Sequence, residues 1–329
     1  VPKRYYRNHP EHTMNPMTTA PPAAPPAASI TQETRGMLLG LAGVAVFSLT
    51  LPLTRLAVRE LDPLFVALAR ALGAALLAAL WLGWKRAPLP GRAAWRPLAL
   101  VGLGCVIGFP LLTSIALQSL PASHGAVLGG ILPLSTALYA ALRGYETPSR
   151  GFWFAALCGS SLVVAFALLQ GGGSLHAGDA LMLGAVALGA AGYAEGGRLA
   201  RTMGGPEVIS WALVLSAPVA AVMLAVGDAG QFARLGGVHL ASWLALGYVT
   251  AFSMFIGFFF WYRGLALGGV ARVGQVQLLQ PFLSLTAATL LLGEHLSAAT
   301  WGFALAVIAT VALGRRTGVR RTGIPGAAR

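Results

Sequence analysis

From Met37 to Gly314 the chain alternates long apolar runs with short polar gaps. Ten runs are long enough to cross a bilayer core of about 30 Å, which takes ~20 helical residues. They cover roughly 37–57, 63–83, 97–117, 122–142, 151–169, 178–198, 207–226, 239–262, 270–292 and 298–314. Hydrocarbon offers backbone amides no partner but each other, so every run predicts a helix. The expected fold is therefore all-α: a polytopic membrane protein with ten transmembrane helices.

The gaps punctuate these helices. Ser149 and Ser297 stand just before runs five and ten, where a hydroxyl can cap a helix. Trp81, Trp84, Trp95, Trp153, Trp243, Trp261 and Trp301 fall near run ends, as interfacial anchors do. Residues 1–35 are polar and contain Pro21-Pro22-Ala23-Ala24-Pro25-Pro26, which predicts a disordered cytoplasmic tail without a signal-peptide layout. The chain opens on valine, and the stretch before Met14 or Met17 reads as a dispensable leader.

The pattern repeats. Pro133, Glu146, Ser149 and Trp153 recur 148 positions later as Pro281, Glu294, Ser297 and Trp301. Arg55 and Pro63 recur, more weakly, as Arg198 and Pro206. Such self-similarity predicts two related halves, 36–169 and 178–314, followed by a basic cytoplasmic tail at 315–329. Five crossings per half is an odd number, so the second half must enter the membrane from the opposite side. The halves are then inverted repeats, with a substrate site near mid-membrane between them. With the N-terminus placed in the cytoplasm, nineteen of the 23 basic residues fall inside, Arg55, Arg59 and Arg234 fall outside, and Arg70 lies within a run. This bias places both ends in the cytoplasm of a plasma (inner) membrane protein.

Composition narrows the function. Hydrophobic residues make up 56% of the chain and charged ones 10%, against about 25% charged in a soluble domain. The basic excess is scattered through gaps and forms no nucleic-acid surface. Cys105 and Cys158 lie in apolar runs, so neither a disulfide framework nor a zinc site is expected. No cofactor or metal motif is present. The expected partners are a small-molecule substrate and the lipid bilayer, with a homodimer left open.

The residues from Leu53-Thr54-Arg55-Leu56-Ala57 through Asp62-Pro63 to Ala69-Arg70, and the two hairpins running from a proline to Gly-Glu-x-x-Ser, resemble the EamA family of the drug/metabolite transporter superfamily. The second hairpin, Pro281 to Gly293-Glu294-His295-Leu296-Ser297, is the closer match; the first has Tyr145 where the family has glycine. The resemblance covers nearly all of 37–314. It implies a ten-helix inner-membrane carrier with a central cavity, exporting amino acids or related solutes.

Polar groups inside the runs are the substrate-path candidates. Glu195 is a rare intramembrane carboxylate. It is read either as a proton- or substrate-responsive group or, preferentially, as the partner of Arg198 three residues on. Gln277 and Gln280 share a face of run nine with Pro281, and Gln275 points elsewhere or sits a turn away. These amides either bind a polar solute or join helices, and both readings stand. Their first-half counterparts are Val127, Gly129 and Leu132, so the cavity is expected to be chemically one-sided. Pro133 and Pro281 are expected hinges or bends. Arg70 faces a cavity anion or, preferentially, snorkels to the interface or binds backbone carbonyls. His124 could titrate near neutral pH, but reads first as a histidine in a surface gap. Tyr193, Thr113, Ser114, Gln118 and Trp211 are further cavity candidates. Gly104/Gly108, Gly125/Gly129 and Gly192/Gly196 have the small-xxx-small spacing of close helix contacts.

The expected function is secondary transport by alternating access. No Gly-x4-Gly-Lys loop supports direct ATP drive, and a proton is a coupling ion only through Glu195. An intramembrane enzyme is the first alternative, without a His-Glu-x-x-His or Gly-x-Ser-x-Gly motif to support it. A membrane assembly protein without flux is the second.

Overall fold

The structure, a computed structural model, describes residues 28–144, 146–170, 176–227, 236–268, 273, 276–316 and 319–321. Ten helical rods are present among the described residues. They are α1 (Thr34–Ala57), α2 (Pro63–Lys85), α3 (Arg92–Ser119), α4 (Ala122–Leu142), α5 (Arg150–Gln170), α6 (Ala177–Met203), α7 (Gly205–Gly227), α8 (Leu240–Leu267), α9 (Gln277–Leu292) and α10 (Ala298–Arg316). Seven of them, α1–α4 and α6–α8, are long and apolar enough to cross a membrane. The other three carry shorter apolar helices, Trp153–Phe166, Gln277–Leu292 and Ala298–Thr310. Large side chains such as Leu76, Leu80, Phe154, Leu244 and Leu290 point outward, as a lipid-facing surface requires.

Local chemistry sets the helix ends. Asp62 Oδ1 accepts from the Leu64 and Phe65 amides at 2.8 and 3.2 Å, and Pro63 takes the first helical position, where its missing N–H costs nothing. Ser297 Oγ accepts from the Thr300 amide at 3.1 Å and caps α10. Gly293, at φ 66°, closes α9 in the left-handed conformation that glycine adopts without strain. In the first hairpin the matching position is Tyr145, and Gly144, one residue earlier, takes φ 71° instead.

Helix and strand extend into both stretches that flank the ten runs. The helix leading into α1 starts at Ala28, inside the stretch expected to be disordered. Val319–Arg321, in the expected basic tail, pairs antiparallel with Glu146–Pro148, with Glu146 opposite Arg321. The fold thus carries one short two-stranded ribbon beside its helices.

Several rods are broken inside. α1 interrupts its hydrogen bonding between Ser48 and Thr50, just before Pro52. α4 breaks after Gly129, before Pro133, and α9 opens with a tight turn at Gln277–Leu279 before Pro281. Each proline withdraws the amide that would bond the carbonyl four residues back. α3 and α8 each contain a widened π-helical stretch, Gly102–Gly108 and Val249–Ile256. Such stretches are often found at functional sites.

The packing has an internal correspondence. α1 lies along α8, and α3 along α6; α4 packs on α6, and α1 on α9; α2 pairs with α7, α5 with α10 and α4 with α9. Exchanging every rod for the one five places away returns the same set of pairs. Glycines permit the closest crossings. A Cβ on Gly104 would strike the Leu188 carbonyl and lie 2.9 Å from the Gly192 amide nitrogen, bringing α3 onto α6. A Cβ on Gly264 would lie 2.9 Å from the Gly36 carbonyl and the Gly40 amide, bringing α8 onto α1.

Buried side chains form two apolar cores. One, with Phe47, Leu68, Cys105, Leu132, Tyr193, Phe258 and Trp261, lies toward the end of the bundle that holds Gly144. The other, with Leu51, Phe65, Leu117, Ala126, Met182 and Leu285, lies toward the end that holds Glu294. Trp261, expected at an interface, is 2% exposed within the first core. It packs there against Phe47 and Tyr193, because α8 continues to Leu267 and places position 261 inside the bundle.

Candidate functional site

Where the two cores meet, the helices leave a partly open cavity. The broken and widened segments line it. α1 contributes Phe47, Thr50 and Leu51 from either side of its break. α4 contributes Gly129 and Leu132, and α9 contributes Gln277, Gln280, Pro281 and Ser284. The π stretches of α3 and α8 contribute Cys105 and Ser253, which stand 148 positions apart, the separation that relates Pro133 to Pro281. Phe109, Phe258, Tyr193 and Met182 complete an apolar wall, and α2 supplies Arg70.

Arg70 does not snorkel. It is 3% exposed, and its Nη2 lies 3.5 Å from Ser253 Oγ. Its Nε and Nη1 are buried without a hydrogen-bond partner among the described residues. Arg70 lies about a third of the way along α2, and α8 packs across that helix and covers the guanidinium. Ser253 Oγ also pairs with Thr50 Oγ1 at 2.7 Å, so the hydroxyl beside the cation is itself oriented by α1. Gln277 Nε2 and Gln280 Oε1 are likewise buried and unpartnered among the described residues. Gly129 and Leu132, their counterparts in the first half, face the same cavity and offer it no polar side chain. No aspartate, glutamate or histidine lines the cavity among the described residues.

The remaining candidates are distributed elsewhere. Tyr193 lines the cavity, and Pro281 lines it at the base of α9. Pro133 lies one residue beyond Leu132 at the α4 break. Gln275 lies outside the described residues. Glu195 is fully buried outside the cavity lining. Its Oε2 receives Arg198 Nη2 at 3.2 Å, and its Oε1 receives Tyr139 Oη and Arg143 Nε, both at 3.2 Å. The pairing with Arg198 is thus part of a larger tie that fastens α6 to the end of α4. His124 is not in a surface gap: it is 7% exposed and its Nε2 lies 2.7 Å from Asp179 Oδ1, joining the starts of α4 and α6. Burial follows from the short α3–α4 turn, which tucks the first turn of α4 against Phe166 of α5. Thr113 Oγ1 bonds the Phe109 carbonyl at 2.7 Å within its own helix, and Ser114 is buried away from the cavity. Trp211 lies edge-on to Trp95, between α7 and α3. Gln118 contributes only its backbone carbonyl, which Arg55 Nη1 reaches at 2.6 Å.

Sequence reasoning had not singled out Thr50, Ser253, Ser284 or the aromatic wall of Phe47, Phe109 and Phe258. Hydroxyls and phenylalanines are frequent in apolar helices, so type alone does not distinguish them. The usable signal was position: Thr50 stands two before Pro52, and Ser253 stands at the repeat counterpart of Cys105.

Further polar ties cluster at the Glu294 end. The Glu294 carboxylate accepts from the Ala122 and Ser123 amides at 2.8 and 2.9 Å, capping α4 from the α9–α10 turn. Glu60, in the α1–α2 turn, bonds the His239 ring and amide and accepts from Ser242 Oγ at 2.7 Å, which fastens that turn to the start of α8. The Ser242 hydroxyl, then His239, hold the Glu60 carboxyl below its ordinary range.

Comparison with known proteins agrees with this arrangement. The EamA-like transporter family model matches residues 34–168 and again 176–314, once for each half. The uncharacterized transporter YdeK of Bacillus subtilis (strain 168) is 46% identical over 285 residues, which span 87% of this chain and 98% of YdeK. A solved crystal structure superimposes with a TM-score of 0.60 at 19% identity, covering 85% of this chain and 96% of that one, which shows a shared fold. Two family matches that together span both five-rod sets, and a relative matched over nearly its whole length, leave one conclusion: this chain belongs to the EamA-like transporter family.

Proposed function

We propose that this chain is a secondary carrier that moves a small metabolite across the plasma membrane by alternating access, with ten membrane crossings arranged as two inverted five-helix repeats. The observation that carries this reading is the largely apolar cavity at mid-bundle, with the polar groups of Arg70, Gln277 and Gln280 on its wall. It is walled by α1–α4 of the first half and by α6, α8 and α9 of the second.

The inversion is supported by the repeat-related glutamates. Glu294 caps the first residues of α4, and Glu146 follows the last. α4 has 21 residues, so the two positions are separated by about 30 Å at the helical rise of ~1.5 Å per residue. Halves of the same orientation would bring them to one end. The exchange of helix pairs five places apart supports the same twofold relation. The excess of basic residues in the gaps at the Gly144 end supports a cytoplasmic location for that end and for both termini.

Opening and closing would act on the ties between halves: Glu60 with His239, Glu294 with α4 and His124 with Asp179 at one end, and Glu195 with Arg143 at the other. Family membership makes amino acids and related solutes the first substrates to screen, and export the first direction. Proton coupling, if carried by Glu195, would act through the α4–α6 contact, since Glu195 does not line the cavity.

The test is an efflux and resistance screen in cells with and without the protein, repeated in proteoliposomes under an imposed pH gradient. Cysteines at positions 146 and 294 label from opposite sides if the halves are inverted. Labelling from one side removes the inversion, and the absence of flux for every solute removes the carrier.

A further inference from the structure

We infer that the cavity binds an organic monoanion, a carboxylate on an apolar or aromatic body, with the Arg70 guanidinium as its anchor. This rests on the carrier reading above and narrows its substrate class.

The argument is one of charge and hydrogen-bond accounting. Arginine keeps its proton in proteins and offers donors only. A charge held in hydrocarbon is costly unless paired, and intramembrane charges usually mark a substrate path or a fixed partner. Arg70 is 3% exposed, and no carboxylate of the described residues lines the cavity with it. Two of its three nitrogens are buried without a partner among the described residues, and the third has only the 3.5 Å approach to Ser253. The missing acceptor is therefore supplied by what enters. A carboxylate matches the planar fork of a guanidinium through two parallel bonds. One fixed positive charge neutralises one negative charge, so a dianionic phosphate would leave a surplus in the same apolar surroundings.

The rest of the lining sets the body of the ligand. Phe47, Phe109, Phe258 and Met182 offer apolar and aromatic surface, and the unpartnered Gln277 amide nitrogen can donate to a second oxygen. For an ammonium group the described lining has no carboxylate, only neutral acceptors such as Gln280 Oε1 and the Tyr193 hydroxyl. The site therefore favours an organic acid over an amino acid with the same side chain.

The experiment is ligand-induced thermal stabilisation of the purified full-length protein with four probes that share a phenylethyl body: 3-phenylpropionate, 3-phenylpropionamide, phenethylammonium and L-phenylalanine. The acid is expected to stabilise the protein saturably and to bind more tightly than the other three. Arg70→Gln is expected to weaken the acid by about 10- to 100-fold, the worth of charge-assisted hydrogen bonds, and Arg70→Lys by less. Should Arg70→Gln fail to fold, Gly129→Leu serves instead. A Cβ there meets nothing within 4 Å, and the added side chain should block the acid. Equal or tighter binding of the ammonium or of phenylalanine overturns the proposal, as does wild-type binding by the Arg70→Gln or Gly129→Leu variant, or no binding of the acid. If a cation or zwitterion is nevertheless transported in the efflux screen, the carrier stands and only the anion class falls.

Discussion

Ser284 Oγ donates a hydrogen bond to the Ser48 carbonyl across 2.9 Å, joining α9 to α1 beside the cavity. Ser48 stands four residues before Pro52, which has no amide to offer it. The hydroxyl of one half thus satisfies a backbone acceptor that a proline releases in the other. Ser284→Ala should cost about 1 kcal/mol, and nearer ~0.6 kcal/mol if it follows the average for hydrogen bonds between membrane helices. In a Pro52→Ala background the restored amide competes for the carbonyl, and the cost of Ser284→Ala should shrink. A double-mutant cycle read by unfolding in detergent checks this; equal costs in both backgrounds would show that the two residues are not coupled.

Arg70 should destabilise the empty protein. Its buried charge has no counter-ion in the cavity lining among the described residues. Even a buried ion pair is often improved by about 1–4 kcal/mol when apolar residues of similar volume replace it, and an unpaired charge recovers less of its desolvation than a pair does. Arg70→Met is therefore expected to raise the unfolding temperature without ligand. A fall in that temperature would mean the guanidinium already has its partners.

The glycine crossings should tolerate little. At Gly104 an added methyl meets the Leu188 carbonyl and the Gly192 backbone, neither of which is the end of a flexible side chain. Gly104→Ala should cost about 1–3 kcal/mol, the usual range for overpacking. Gly302→Ala on α10, where a Cβ meets nothing within 4 Å, is the internal control and should be near neutral. Thermal unfolding of both variants decides it.

Glu60 predicts a local pH dependence. Ser242 and His239 hold its carboxyl below the ordinary value of 4.5. A depressed carboxyl contributes fully above its unfolded value and loses that contribution as pH falls through the folded one. Hydrogen exchange at residues 58–62 and 239–242 should therefore be slow at pH 6 and accelerate below about pH 4 on correcting for intrinsic rates. Glu60→Gln should weaken the tie at pH 6 and flatten this dependence; an unchanged profile would show that another group titrates there.

Glu294 should behave as a cap supplied from a distance. Its two oxygens hold the Ala122 and Ser123 amides, which a helix cannot satisfy by itself. Glu294→Ala should cost about 0.5–2 kcal/mol, and Glu294→Gln less, since one amide oxygen remains. Exchange at the first turn of α4, rather than at α10, should report the loss.

The elements were largely legible in the chain. Apolar runs longer than ~20 residues can only be helices in lipid, and the prolines, Gly293 and Ser297 mark breaks and ends by their own backbone chemistry. The 148-residue recurrence carried the division into halves and identified Gly129 and Leu132 as the counterparts of Gln277 and Gln280. Partnership was not legible. Glu195 and Arg198 share a helix face, so their pairing could be read from spacing, whereas Arg143 and Tyr139 reach Glu195 only because α4 packs on α6. His124 and Asp179 are 55 positions apart, and Arg70 and Ser253 are 183 apart. Whether an arginine in an apolar helix snorkels or stays buried depends on what crosses it, which is a property of helix packing. Hydrophobic length and backbone chemistry are local and are written along the chain; charge pairing, burial and the cavity arise between segments, and only the folded arrangement decided them.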